Sequence, residues 1–157
     1  MTMSTSTVIR RAKPEDISAI ERLLTDAHLP VDGARAAFQT GFVAEDGGRV
    51  IGGAALECFE DGALLRSVVV DRAARGQGLG QRLTMAALEE ASALRLPAVY
   101  LLTITAEGFF PKLGFVRTTR DAVPRSVQES VEFRSACPAS AAVFARRVPR
   151  SSFSPCS

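Results

Sequence analysis

The sequence contains no Trp and only one Tyr and one His. Its three Cys residues, Cys58, Cys137 and Cys156, are odd in number and far apart, which excludes a disulfide framework and the usual zinc spacings. A net charge of +2 gives no field that would attract nucleic acid. No apolar run approaches the ~18 residues of a membrane span, and the N-terminus shows no signal-peptide pattern. We therefore expect a cytoplasmic protein that binds neither nucleic acid nor membrane.

What remains is an ordinary globular composition, with 46% hydrophobic and 23% charged residues in 157. This length suits one domain, since a domain takes roughly 150 residues. We place that domain at residues 6–147. The Ser- and Pro-rich residues 148–157 are predicted to form a flexible C-terminal tail.

The hydrophobic pattern predicts a hairpin-rich first half followed by alternating strands and helices. The strands are expected at 6–11, 41–45, 49–59, 63–70, 98–104, 115–119 and 141–147. The helices are expected from Pro14 to about His28 and at 32–38, 80–95, 106–113 and 124–129. This order predicts an α/β fold in which a mixed sheet carries helices on both faces.

A glycine-rich loop, Arg75-Gly76-Gln77-Gly78-Leu79-Gly80, joins an apolar strand to the long helix. Glycines let the backbone approach an anion, and free N–H groups at a helix start bind phosphate. Arg75 can add a charge-assisted contact. The alternatives are a plain tight turn, a dinucleotide fingerprint and the pyrophosphate loop of an acetyl-coenzyme A transferase. The dinucleotide fingerprint fits poorly, because Gln81 stands where its third Gly belongs.

Arg75, Gly78 and Gly80 resemble the R/Q-x-x-G-x-G/A motif of the GCN5-related N-acetyltransferase (GNAT) superfamily. About 30 residues later, Tyr100–Phe115 resembles that superfamily's A-x-x-F-Y-x-K-x-G-F segment. The resemblance covers nearly the whole chain. The segments LLRSVVV, LLTITAEGFFPKLGF and EFRSACPASAAV are also similar to the bacterial arsenic-resistance N-acetyltransferases.

The resemblance implies a single-domain GNAT fold, a mixed central sheet with two parallel strands that splay apart and helices on its flanks. It also implies acetyl-CoA as the co-substrate, with the pantetheine arm in the splay. The cofactor-binding residues it implies are Val68, Val69, Val70, Arg75, Gly76, Gln77, Gly78, Leu79, Gly80, Phe109, Phe110 and Lys112.

The chain departs from the superfamily at the general acid, because Phe110 stands where a Tyr is common. A thiol with an unperturbed pKa of about 8.5 can leave without full protonation. Ser67, Thr103 or an ordered water could hydrogen-bond the sulfur instead. The general base is also open: phosphinothricin-type relatives have Glu where this chain has Leu65. Glu57 on the neighbouring strand is the first candidate, and Glu107 is the second.

Four residues are predicted to contact the acceptor. Arg66 interrupts an apolar strand, so it must reach solvent or a partner. It could clamp an acceptor carboxylate or pair with Glu57. His28 lies in the early connection that lines the acceptor site in this superfamily, and Arg134 and Cys137 lie in the connection that overhangs it. Trivalent arsenic usually binds several thiolates, and only Cys137 is plausibly placed, so direct arsenite binding is not favoured. No metal site is expected.

We therefore expect an N-acetyltransferase that transfers acetyl directly to a small-molecule amine, an amino acid or an amino-acid-like toxin. One alternative is a protein N-acetyltransferase acting on peptide termini or Lys. Another is a non-catalytic accessory protein that binds acyl-CoA or an arsenical. The sequence leaves open whether the protein is a monomer or a homodimer.

Overall fold

The computed structural model describes residues 7–29, 31, 33–103, 107–130 and 141–148. The strands are β1 (Thr7–Arg11), β2 (Gly41–Asp46), β3 (Arg49–Phe59), β4 (Gly62–Val70), β5 (Ala98–Thr103), β6 (Val116–Thr118) and β7 (Ala142–Arg147). The α-helices are α1 (Ile17–Asp26), α2 (Ala34–Ala37), α3 (Leu79–Ala93) and α4 (Arg125–Gln128). Short 3-10 turns occur at Pro14–Asp16, Phe38–Thr40, Arg72–Ala74, Phe110–Leu113 and Arg120–Ala122. Across these ranges, no helix has the length and apolarity needed to cross a membrane.

All seven strands belong to one mixed sheet with the order β1-β2-β3-β4-β5-β7-β6. This confirms the predicted mixed α/β fold. The helix predicted at 106–113 is wrong over its described part, which forms only the 3-10 turn Phe110–Leu113. Pro111, in the first turn, has no N–H to donate, and Gly114, with φ 90°, ends the turn at the residue where the predicted helix also ends. The helix predicted at 32–38 is likewise shorter, because α2 covers four residues before a 3-10 turn begins.

Two parallel strands in the middle of the sheet part from one another. β4 and β5 pair only through Ala63 with Val99 and Leu64 with Tyr100. β4 then runs on to Val70, about 20 Å at ~3.3 Å per residue, with no further pairing to β5 in the described register. The expected splay is therefore present, and in the described residues β4 makes no ladder pair with β5 beyond Leu64.

A β-bulge interrupts β4 where the strands have parted. Gly53 of β3 pairs with Val69, but Ala55 pairs with Arg66, so Ala54 faces two residues, Ser67 and Val68. Ser67 takes a left-handed φ of 58°, which is uncommon for a residue other than Gly. The extra residue leaves the ladder locally unpaired and changes the faces to which the following side chains point.

The two faces of the sheet have different coverings. On one face, α3 packs against buried residues that include Leu56 and Leu65. On the other face, α1 and α2 cover a cluster that includes Ala55 and Val69, while α4 covers a second cluster that includes Leu64. Along β4, the interval between these two clusters contains Arg66 and the bulge.

Candidate active site

The glycine loop ends in the first turn of α3. Gly76 and Gly78 have φ values of 85° and 79°, and a Cβ on either would meet open space. Gly78 is the N-cap residue, and no side chain caps the helix there. The first helical bond runs from the N–H of Arg82 to the carbonyl of Gly78. The amides of the preceding residues are therefore available to an anion at the positive end of a 15-residue helix.

Arg75 anchors this loop to the end of β4. Its Nε donates a hydrogen bond to the carbonyl oxygen of Val70 at 3.1 Å. Asp71 holds the other side of the loop: its carboxylate accepts from the N–H of Ala73 at 3.2 Å and from Arg49 Nη2 at 3.1 Å. The conformation of the glycine loop is thus fixed by contacts to β4 and to the β2–β3 hairpin.

The segment after β5 closes on the first turn of α3. Phe109 lies there, because a Cβ on Gly80 would stand 3.5 Å from its Cζ. Phe110 is 6% exposed and packs edge-to-face on Phe109 and Phe115, with ring centroids 4.9 and 5.6 Å apart. Phe109 is half-buried and Lys112 exposed, so both are open to a cofactor, whereas Phe110 belongs mainly to the core.

Glu57 and Arg66 share the sheet face that lies opposite α3. Glu57 Oε1 lies 3.9 Å from Arg66 Nη1, and the Arg66 side chain is fully buried. Burial raises the pKa of Glu57, and the Arg66 guanidinium partly opposes that rise. The pairing that the sequence left open is therefore present, as a charge contact longer than a hydrogen bond.

Two hydroxyl groups border the opening between the strands. Ser67 stands at the bulge, and its Oγ accepts a long hydrogen bond from Arg66 Nε at 3.4 Å. Thr103 is the last residue of β5 and is half-buried. The bulge could not be predicted from the sequence, since a Ser is not expected at positive φ.

The remaining predicted residues are more scattered. His28 is exposed just beyond α1, with a φ of 60°. Glu107, the second candidate base, is exposed and lies 3.5 Å from Arg117. Arg134 and Cys137, like Ala106 of the second motif, lie outside the described residues.

The sole tyrosine does not replace the missing phenol. Tyr100 pairs with Leu64, in the part of the sheet where β4 and β5 are still joined. Burial raises its pKa, the positive charge of Arg147 lowers it, and the negative charge of Asp61 raises it. Tyr100 lies three residues before Thr103, the end of β5, in the part of the sheet where β4 and β5 have not yet separated.

Comparisons with known proteins agree with this geometry. Residues 38–117 match the family model described as an acetyltransferase (GNAT) domain. The chain is 34% identical over 120 residues to an amino-acid acetyltransferase of Mycobacterium tuberculosis, covering 69% of this chain and 67% of the relative.

Solved structures show the same fold. The Mycobacterium tuberculosis protein Rv2747, solved in complex with CoA and another ligand, is 27% identical with a TM-score of 0.74, covering 90% of this chain and 99% of that one. N-acetylglutamate synthase from Neisseria gonorrhoeae, in complex with coenzyme A and N-acetyl-glutamate, is 20% identical with a TM-score of 0.80. The match covers 95% of this chain but only 37% of that synthase chain. The chain therefore belongs to the GNAT acetyltransferase family, and with it to the N-acetyltransferases that take acetyl-CoA as co-substrate.

Proposed function

We propose that this protein acetylates the amino group of a small anionic amine, an amino acid or a close analogue of one. The observation that carries the proposal is the pair of Glu57 and Arg66 between the two apolar clusters beside the splay. A carboxylate and a guanidinium at one point supply a base for an amine and a counter-charge for an anion. The name of the Mycobacterium tuberculosis relative, an amino-acid acetyltransferase, supports the same substrate class.

In this proposal, acetyl-CoA lies with its pyrophosphate on the free amides at Gln77–Gly80. Its pantetheine arm runs along β4 from the Val70 end toward Ser67, where β4 no longer pairs with β5. The Val70 carbonyl itself already accepts a hydrogen bond from Arg75 Nε. This direction brings the thioester to the bulge, one residue from Arg66. Phe109, which lies beside Gly80, and exposed Lys112 in the following turn would contact the cofactor from the segment after β5.

Glu57 takes the proton from the attacking amine. An amino acid carries an ammonium group at neutral pH, and this group must lose its proton before it can attack. A carboxylate whose pKa is raised by burial is a stronger base than one in water, and it stays ionised above that pKa. Glu57 is 23% exposed, so it can then pass the proton to solvent.

Arg66 binds the anionic group of the acceptor. A fully buried guanidinium is a costly group, and a bound carboxylate would help to compensate its charge with bidentate geometry. Arg134 and His28 remain proposed acceptor contacts, since each lies on a connection that the family resemblance places at the acceptor site. Cys137 keeps the same status.

The similarity to arsenic-resistance acetyltransferases remains a sequence-based prediction about the acceptor. It adds one substrate to the test, an arsenic-containing amino acid. The other substrates are glutamate, phosphinothricin and a short peptide with a free N-terminus. The peptide represents the alternative of a protein N-acetyltransferase.

The test is detection of acetylated product by mass spectrometry from purified protein, acetyl-CoA and each amine. We expect one small anionic amine to be acetylated and the activity to fall about 100-fold or more in Glu57→Gln. The matched control Glu107→Gln, which removes an exposed carboxylate, should retain activity. Acetylation of the peptide alone would contradict the proposed substrate class. Binding of acetyl-CoA without acetylation of any amine would favour the non-catalytic alternative.

A further inference from the structure

We infer that the Ser67 hydroxyl, oriented by Arg66, donates the hydrogen bond that stabilises the departing CoA thiolate. This role rests on the acetyl transfer proposed above, but it holds whichever amine is the acceptor. It assigns one group to a task for which the sequence left three candidates. It also gives Arg66 a second role: besides binding the anionic group of the acceptor, Arg66 positions the Ser67 hydroxyl.

The bulge places the Ser67 side chain next to the guanidinium. Because Arg66 Nε donates to Ser67 Oγ, an oxygen lone pair is occupied and the hydroxyl hydrogen can point elsewhere. A cation on the oxygen polarises the O–H bond and makes it a better donor. Ser67 lies on the part of β4 that has parted from β5, three residues beyond Leu64, the last residue that pairs with β5.

Neither the aromatic residue at the superfamily's usual general-acid position nor the tyrosine of this chain can donate a proton to the sulfur. Phe110 has no donor group and packs in the core between Phe109 and Phe115. Tyr100 lies where β4 and β5 are joined, so its ring is on the closed side of the splay. Ser67 borders the opening and also contacts a buried cation.

The reaction balances with this assignment. The amine nitrogen forms a bond to the acetyl carbon, and its extra proton goes to the Glu57 carboxylate. The C–S bond breaks, and its electron pair stays on sulfur. The thiolate accepts the hydrogen bond from Ser67 O–H and leaves as an anion. Glu57 then releases the proton to solvent. The ammonium form of the acceptor and acetyl-CoA therefore give the N-acetyl amine, the CoA thiolate and two protons, one released before the attack and one after it.

The test measures the thiol pKa of bound CoA, and it needs no acceptor amine. Ultraviolet absorbance of the thiolate is titrated in the protein–CoA complex, and the titration of CoA-free protein is subtracted to remove the protein's own cysteines. Arg66 on β4 contacts Ser67 Oγ, and Glu57 on β3 lies 3.9 Å from Arg66 Nη1, so these two ionisable groups face this point.

We expect bound CoA to titrate below its value in water, and Ser67→Ala to raise that pKa by about one unit, tenfold in the acidity constant. Ser67→Gly should raise the pKa by the same amount, and glycine accepts the left-handed backbone without strain. If Ser67→Ala folds poorly, Ser67→Gly still provides the measurement. Thr103→Val tests the other hydroxyl that the sequence offered for this hydrogen bond, and it should leave the pKa unchanged if Ser67 is the donor.

Three results would overturn the role of Ser67. The first is a wild-type complex in which bound CoA titrates as it does in water. The second is a thiol pKa that moves in Thr103→Val but not in Ser67→Gly. The third is a pKa that rises in Arg66→Met but not in Ser67→Gly, which would mean that the guanidinium acts on sulfur without the hydroxyl. In each case the proposed acetyl transfer would stand or fall by the separate product assay.

Discussion

Arg66 Nη1 lies 3.9 Å from Glu57 Oε1, and the guanidinium is fully buried while the carboxylate keeps a quarter of its exposure. The two residues are diagonal neighbours across β3 and β4, because Ala55 pairs with Arg66 and Glu57 pairs with Leu64. Burial raises the pKa of Glu57 and the positive charge of Arg66 lowers it, with burial the larger effect. The basicity of Glu57 therefore depends on its neighbour.

This coupling predicts a pH effect for Arg66→Met. The specificity constant kcat/KM should fall as the pH drops through the Glu57 pKa, because the protonated carboxyl cannot accept a proton. Removing the cation should raise that pKa further, so the acid limb of the profile moves to higher pH. The profile is measured with the amine identified by the product assay. Arg117→Met, which removes a cation 3.5 Å from exposed Glu107, should leave the limb in place. An unmoved limb in Arg66→Met would contradict the assignment of Glu57 as base.

Arg75 is predicted to act on the cofactor through its charge and through its bond to Val70. Arg75→Glu should weaken CoA binding by at least about tenfold, the loss expected when a hydrogen bond from a charged group is removed. Calorimetric titration with CoA measures it. Arg72→Glu makes the same charge change on an exposed residue three positions earlier and should have a much smaller effect. Arg75→Lys separates the effect of the charge from that of the hydrogen bond to Val70, because lysine retains the charge but lacks Nε. Weak CoA binding by Arg75→Lys would identify the Val70 contact as the larger contribution.

Gly78 has a matched control in Gly47. Both have positive φ, 79° and 59°, and a Cβ on either meets open space, so Ala at each costs about 1 kcal/mol of stability through backbone strain. Gly78 begins α3 and orients its free amides, whereas Gly47 turns the hairpin between β2 and β3. We expect Gly78→Ala to weaken CoA binding about tenfold, or about 1.4 kcal/mol, and Gly47→Ala to leave it unchanged. Equal binding by both variants would show that the loop conformation does not control the affinity.

Much of this architecture could be read from the sequence because hydrophobic periodicity determines which elements form and in which order. The apolar run at Leu64–Val70 and the glycine loop behind it predicted a central strand that leads into a phosphate-binding helix start. The structure has both, and the family resemblance correctly predicted the splay.

The contacts of Arg66 could not be read in the same way, since they depend on strand register. A slip of one residue between β3 and β4 would have put Glu57 and Arg66 on opposite faces. The bulge at Ser67 depends on packing across the sheet, and a serine carries no local preference for the left-handed backbone it adopts there. The length of the turn at Phe110–Leu113 was also missed, because Pro111 and Gly114 limit a segment whose composition is otherwise suited to a helix.

The last prediction concerns stability at the far edge of the sheet. Asp16 is 6% exposed, and its carboxylate accepts hydrogen bonds from Arg10 Nη1 at 2.8 Å, Arg10 Nη2 at 3.0 Å and the N–H of Lys13 at 2.7 Å. Arg10 also donates to Glu45 on β2 at 2.6 Å. One carboxylate thus joins β1 to the turn that begins α1. The hydrogen bonds from Arg10, with that from Lys13, lower the pKa of Asp16 against the opposing effect of burial.

Asp16→Asn should lower the free energy of unfolding by about 2 kcal/mol at neutral pH, because it removes the charge that accepts the Arg10 hydrogen bonds, while Arg10 keeps its ion pair with Glu45. The sign with pH follows from the lowered pKa: the carboxylate stabilises the fold above its unfolded pKa of about 3.9, and this stability is lost as pH falls through the lower folded value. The difference between wild type and Asp16→Asn should therefore be constant from pH 7 to about 5 and shrink below about pH 4. Urea unfolding followed by far-ultraviolet circular dichroism measures it, since the chain has no Trp. The control Asp26→Asn, at an exposed position in the last turn of α1, should change stability little at any pH. A difference as large at pH 3 as at pH 7 would mean that the asparagine amide disturbs packing and that the ion pair is not the cause.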